Sequence, residues 1–246
     1  MDRMLYVAMT GARETLRAQT ANNHNLANAN TTGFRADLQA FQARQVTGDG
    51  YKSRVYATAA TTGFDPTVGA MMSTRRDLDV AVQGKGYIAV QGPDGRESYT
   101  RAGDLRVDTS GQLRTGTGLA VLGEGEPISV PPHASLLIGG DGTVSIVPLG
   151  QGPETKATVG RIKLVNPADQ DLVKGPDGLF RMKDGSDAPP DAAVTLASGV
   201  LEGSNVNVAS AMVNMIELSR RFDMQVRAMK SAEDNGAASA RLLSMR

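Results

Sequence analysis

The chain contains no cysteine and no tryptophan in 246 residues. The first absence removes disulfides, thiolate nucleophiles and zinc–thiolate centres together, and leaves either redox compartment open. The second, with aromatics at only 4%, leaves little material for a ring-lined ligand pocket. Net charge is absent too: 26 basic side chains balance 26 acidic ones, so no long-range field gathers nucleic acid or an anionic membrane. No window approaches the roughly 18 uninterrupted apolar residues of a membrane helix, and membrane insertion is not expected. MLYVAM, at the start, is too short for the apolar core of a secretory signal, so no cleaved signal peptide is expected.

Catalytic motifs are equally scarce. The only histidines, His24 and His133, have no local metal-ligand spacing around them. Gly84-Lys85-Gly86 followed by Ala89 is a partial GxGxxG. The YIAVQ after it reads as a strand, where a dinucleotide site needs a helix N-terminus, so the glycines mark a tight turn. Asp77 and Asp79 share one strand face but lack a second catalytic group nearby in sequence. No enzyme, no cofactor, no metal and no small-molecule substrate is expected.

Periodicity carries the positive signal. From Leu5, small and apolar residues fall at Leu5, Met9, Ala12, Leu16, Gln19, Asn23 and Leu26, alternating four and three. The spacing predicts a helix with a heptad seam, stopped by Thr31-Thr32-Gly33. A second register runs Val208, Ala211, Met215, Leu218, Phe222, Gln225, Met229 and Ala232, over a helix of about 36 residues with Ser204 or Asn205 as its cap. Between them the period is two, in DLDVAVQ, YIAVQ, SYTR, DLRVD, ISV, TVSIV, RIKLV, LFRMK and VTLAS. Turns every eight to twelve residues among 28 glycines and 11 prolines, with GPDG at residues 92–95 and 175–178, read as antiparallel hairpins.

The expected fold class is α+β, mainly β: an antiparallel β central body flanked by N- and C-terminal α-helices that pair as a coiled-coil-like axial domain. Residues 1–36 with 206–246 form that axial domain, 37–78 an extended connector, and 79–205 a β-rich outer domain. Pairing of the two ends within one chain and packing between subunits both satisfy the pattern.

Between Asn22 and Asn30 five of nine residues are asparagine. Asparagine at a helix end competes with the backbone and terminates it, and asparagine at a seam fixes register once hydrogen-bonded.

The stretch YVAMTGARETLRAQTANNHNLANANTTGFR resembles the N-terminal signature of bacterial flagellar rod and hook proteins, N-L-A-N-x-x-T-x-G-[FY], at Asn25, Leu26, Ala27, Asn28, Thr31, Gly33 and Phe34. Asn22 and Asn23 extend the match. DLDVAVQGKGYIAVQ, YTRAGDLRVDTSGQL, GVLEGSNVN and AMVNMIELSRRFDMQ continue it along nearly the whole chain. Arg220-Arg221-Phe222-Asp223 departs from the commoner Q-R-A-Y-E run, which points to a proximal-rod member, with a distal-rod or hook-family paralogue as the alternative.

The resemblance implies a structural subunit of the rod, the drive shaft that carries torque from motor to hook across the periplasm. It implies partners too: further copies and other rod proteins in a helical tube, and the flagellar type III export apparatus. Expected subunit-interface residues on the first segment are Leu5, Met9, Leu16, Asn22, Asn23 and Asn25, followed by Leu26, Asn28, Thr31, Gly33 and Phe34. On the second they are Asn205, Val206, Val208, Met215, Leu218, Arg221, Phe222 and Met229. Both ends are expected to order only on assembly. A reading of a different class is a secreted β-sandwich binding module oligomerised by its helical ends.

Overall fold

A computed structural model describes residues 3–45, 55–150, 152 and 154–244. The chain divides into two compact units, Met1–Ala29 with Ala36–Asp65 and Val206–Arg246, and Asn30–Arg35 with Pro66–Asn205.

In the first unit, α1 (Arg3–Ala27) is followed by β1 (Asp37–Gln45) and β2 (Val55–Phe64), and α2 (Val208–Ser244) closes the chain. Both helices are rich in alanine, methionine, arginine and leucine, all strong helix formers. α1 ends where the Asn28 amide side chain donates to His24 O at 2.9 Å, capping a last-turn carbonyl. The α2 cap is Asn207, not Ser204 or Asn205: its Oδ1 accepts from Ser210 N at 3.0 Å, the N-cap to N3 bond.

The segment 37–78, expected as an extended connector, instead holds the antiparallel β1–β2 pair, bulged between Leu38 and Gln39. Residues 46–54 of that expectation lie outside the described residues. Val55–Phe64 reads VYATAATTGF, which lacks clean alternation but is rich in β-branched threonine, a strand preference that weak periodicity conceals.

The two helices run antiparallel, since Asn22 meets Ala211 while Gly11 meets Gln225. On α2 the predicted seam holds from Ala211 to Ala232 but not at Val208, which is exposed: Ala211, Leu218 and Ala232 are buried, and Met215, Phe222, Gln225 and Met229 half-buried. On α1 it does not. The buried residues are Ala8, Gly11, Ala12, Glu14, Thr15 and Ala18, so that of the predicted seam only Ala12 is buried, while Leu5, Met9 and Leu16 are exposed. The stripe Ala8, Gly11, Thr15 and Ala18 is turned by one residue, about 100°, from the predicted one, and its small residues allow close approach at Gly11. A Cβ on Gly11 would stand 2.9 Å from the Gln225 side chain.

The second unit is built of antiparallel strands, with a 3-10 turn at Asp169–Asp171. It begins with β3 (Met71–Ser73), β4 (Val80–Gln83), β5 (Tyr87–Gln91), β6 (Glu97–Thr100), β7 (Leu105–Val107) and β8 (Leu113–Thr115). There follow β9 (His133–Ile138), β10 (Thr143–Pro148), β11 (Ala157–Arg161), β12 (Leu164–Val165), β13 (Leu172–Lys174), β14 (Phe180–Met182), β15 (Thr195–Ser198) and β16 (Val200–Glu202). The largest sheet has the order β12-β5-β6-β14-β13, a second is β11-β10-β9, and β15-β4, β16-β3 and β7-β8 are two-stranded.

Both GPDG segments are hairpin tips, joining β5 to β6 and β13 to β14, with Gly95 and Gly178 in the left-handed region that the turn requires. The core gathers Val80, Val82, Ile88, Val90, Leu105 and Leu113 with further valines, leucines and isoleucines of the neighbouring strands. Each contributes about 1.5–3 kcal/mol by leaving water.

Candidate assembly surface and a buried charge node

The asparagine run does several separate jobs inside the first unit. Asn22 Nδ2 donates to Ala211 O of α2 at 2.8 Å. Asn25 clasps the start of β1 at both ends of one residue: its Oδ1 accepts from Asp37 N at 2.7 Å and its Nδ2 donates to Asp37 O at 3.0 Å. His24 Nδ1 stands 2.6 Å from the Asp37 carboxylate. Asn28 caps its own helix. Asn23 and Asn30 are exposed. Register is therefore set within the chain by Asn22 and Asn25, each able to fix a helix or strand that small apolar residues would leave free to slide.

These amides open onto a groove of about 370 Å³, walled by Asn22, Asn25, Asp37, Gln39, Asn214 and Arg221 among others. Arg221 is exposed and lies 3.6 Å from Glu217 one turn earlier. Beside the groove the helices carry large apolar side chains with no cover. On α1 these are Leu5, Tyr6, Met9 and Leu16, with Met9 53% and Leu16 47% exposed. On α2 they are Val208, Met212, Val213, Ile216 and Met224, with Ile216 56% exposed. On both helices these side chains lie apart from the buried residues that the paired helices cover. Of the remaining candidates, Leu26 and Val206 are half-buried and Thr31 is exposed.

Gly33, Phe34 and Asn205 are used inside the second unit. Gly33 N donates to Glu202 O at 2.7 Å. Its φ of +67° favours glycine, and a Cβ there would stand 2.2 Å from the Arg101 carbonyl carbon. Phe34 is buried beneath Lys174 Nζ, 3.8 Å from its ring centroid. Asn205 receives the end of the β body, its N donating to Phe34 O and its Nδ2 to Thr67 O at 3.1 Å.

Next to them lies a feature that sequence reasoning missed. Glu202, fully buried, has Arg35 Nη1 at 2.5 Å from Oε1 and Arg101 Nη1 at 3.0 Å from Oε2. Gly69 N adds a bond to Oε1 at 3.0 Å. Arg101 also donates to Val82 O and Gly84 O, and its guanidinium carbon stands 5.4 Å from the Tyr87 ring centroid. Burial holds the Arg101 guanidinium below its ordinary range, opposed by the charge of Glu202. Burial, reinforced by Asp169, pushes the Tyr87 hydroxyl up to about 12. The three charged residues come from positions 35, 101 and 202, so no local spacing could have announced them. They tie the entry and exit of the β body to its sheets.

Among the described residues no group of three or more histidine, cysteine, aspartate or glutamate side chains could hold a metal ion, and no helix is long and apolar enough to cross a membrane. The flagellar hook protein FlgE/F/G D1 domain matches residues 81–146, and the flagellar basal body rod FlgEFG C-terminal domain matches residues 197–242. The FlgF basal-body rod protein of Escherichia coli is 45% identical over the full length of both chains, and that of Salmonella typhimurium 43%. The FlgG rod protein of Bacillus subtilis is 30% identical over 95% of this chain and 96% of its own. The chain belongs to the flagellar basal-body rod proteins, as a structural subunit of the rod. Within them it is most like FlgF.

Proposed function

We propose that the chain builds the proximal rod by helical assembly, each copy meeting the next copy or another rod protein through unlike surfaces, so that the contact repeats without closing on itself. Residues 1–36 and 206–246 act as the coiled-coil-like axial part that lines the tube, and the β body fills the outer layer and resists torsion. The shaft so formed crosses the periplasm and carries torque from motor to hook. The chain reaches it through the flagellar type III export apparatus, a route that its lack of cysteine suits.

One observation carries this reading: Leu5, Met9 and Leu16 on α1 and Val213, Ile216 and Met224 on α2 are exposed although the two helices are already paired. A helical pair with a second apolar face needs further neighbours. Asn23, exposed beside that face, remains an interface residue, whereas Asn22, Asn25 and Asn28 act first within the chain.

The test is Leu16→Asp and Ile216→Asp introduced together. Both sites are exposed, so melting of the purified protein should stay within about 1 kcal/mol of the parent, while the variant should be missing from purified basal bodies and the cells non-motile. Normal incorporation would refute the reading.

A further inference from the structure

The buried charge node of the second unit is unbalanced. Glu202 supplies one negative charge to two guanidiniums, and its oxygens are already met by Arg35 Nη1, Arg101 Nη1 and Gly69 N. Arg35 Nε, Arg35 Nη2 and Arg101 Nε are buried with no hydrogen-bond partner among the described residues. Arg35 and Arg101 are 1% and 3% exposed. Orphaned donors at such depth are rare, and an uncompensated buried charge is costlier than an orphaned neutral donor.

Arg101 also walls a cleft of about 470 Å³, together with Thr67, Lys85, Tyr87, Asn166 and Asp169. Lys85 brings a second cation to that wall and Asp169 its single carboxylate; both are exposed to water. Counting node and cleft together, Arg35, Lys85 and Arg101 face Glu202 and Asp169, so one positive charge is left over. Water in the cleft satisfies a donor but brings no charge.

We propose that this cleft is an oxyanion site, in which one carboxylate or phosphate group settles against the Arg101 guanidinium and is held by Lys85. The planar guanidinium suits an oxyanion because its donors lie in one plane with the two oxygens. Its orientation is already fixed by Val82 O, Gly84 O and Glu202, so binding costs little side-chain entropy. The oxyanion has two possible sources: a free anion, or a carboxylate side chain of another copy. The chemistry at Arg101 is the same for both.

The experiment uses the full chain, with calorimetric melting in sodium phosphate and in sodium chloride at equal ionic strength and pH, and sedimentation equilibrium in the same buffers. Phosphate at ten times its dissociation constant should raise the melting temperature by about 3–6 °C over chloride. Lys85→Ala should lose most of that rise, and Lys156→Ala, an exposed lysine outside the cleft lining, should keep it. If phosphate also weakens self-association of the parent chain and not of Lys85→Ala, a carboxylate of another copy is the occupant. If self-association is indifferent to phosphate while melting responds, the occupant is a free anion. No phosphate-specific rise, or an equal rise in Lys85→Ala, overturns the proposal.

Discussion

Replacing Glu202 by glutamine tests how much the β body depends on one carboxylate. Glutamine keeps the volume and one carbonyl oxygen, but its NH₂ faces an arginine N–H, donor against donor, and both buried guanidiniums lose their counter-ion. Glu202, Arg35 and Arg101 are each nearly or fully excluded from water, so solvent cannot take over the lost role. Removing one member of a buried pair costs about 3–5 kcal/mol, and at about 2–4 °C per kcal/mol for a chain of this size the melting temperature falls by about 6–20 °C. Without tryptophan, the assay is differential scanning calorimetry with far-UV circular dichroism, read on the transition that carries the β signal. A loss below about 1 kcal/mol would refute the view that Glu202 neutralises the node.

Gly33→Ala should destabilise the same unit by about 2 kcal/mol or more, from the left-handed backbone and the contact with the Arg101 backbone; calorimetry within 0.5 kcal/mol of the parent, roughly the scatter of neutral substitutions, would contradict it. Asn25→Ala removes both bonds to the Asp37 backbone and should cost about 1–2 kcal/mol, with faster hydrogen exchange at the Asp37 amide as the direct readout. Asp108 is held down at about 2 first by the Ser110 hydroxyl, then by Gln112 N, with Arg114 also contributing. Its folded pKa is thus below the ordinary 3.8, so its stabilisation is complete above about pH 4 and disappears as pH falls towards 2. An acid titration of Asp108→Asn should accordingly differ from the parent at pH 6 and converge with it near pH 2; a gap that persists at pH 2 would mean that the charge is not responsible.

Much of the β body was legible because its strands alternate and its turns use proline, aspartate and glycine where φ demands them. YIAVQ is β5, TVSIV lies within β10, and both GPDG segments are hairpin tips. ISV is not a ladder strand: Ser129 makes only an isolated bridge with Gln112. On α1 periodicity located the helix but chose the wrong face, because a heptad of Leu5, Met9 and Leu16 marks the larger side chains and says nothing of which partner they meet. Of the predicted heptad Ala12 is buried, and beside it Ala8, Gly11 and Ala18, with Gly11 against Gln225 of α2. The asparagines were visible as a group, yet their partners at Ala211 and Asp37 depend on tertiary geometry. The Arg35–Glu202–Arg101 node was beyond reach for the same reason: its members are separated by 66 and 101 positions.

The alanine and glycine seam between α1 and α2 also bears on dimensions. Helices that meet through their smallest side chains stand at the near end of the usual 8–10 Å range of separations, so a layer built from such pairs is thin for its two-helix depth. Wall thickness then depends on methyl groups and hydrogens rather than on leucines. A single enlargement at Gly11 or Ala12 would push α1 outward along its length, changing the gauge of any tube made from the pair without touching the surfaces that join one copy to another.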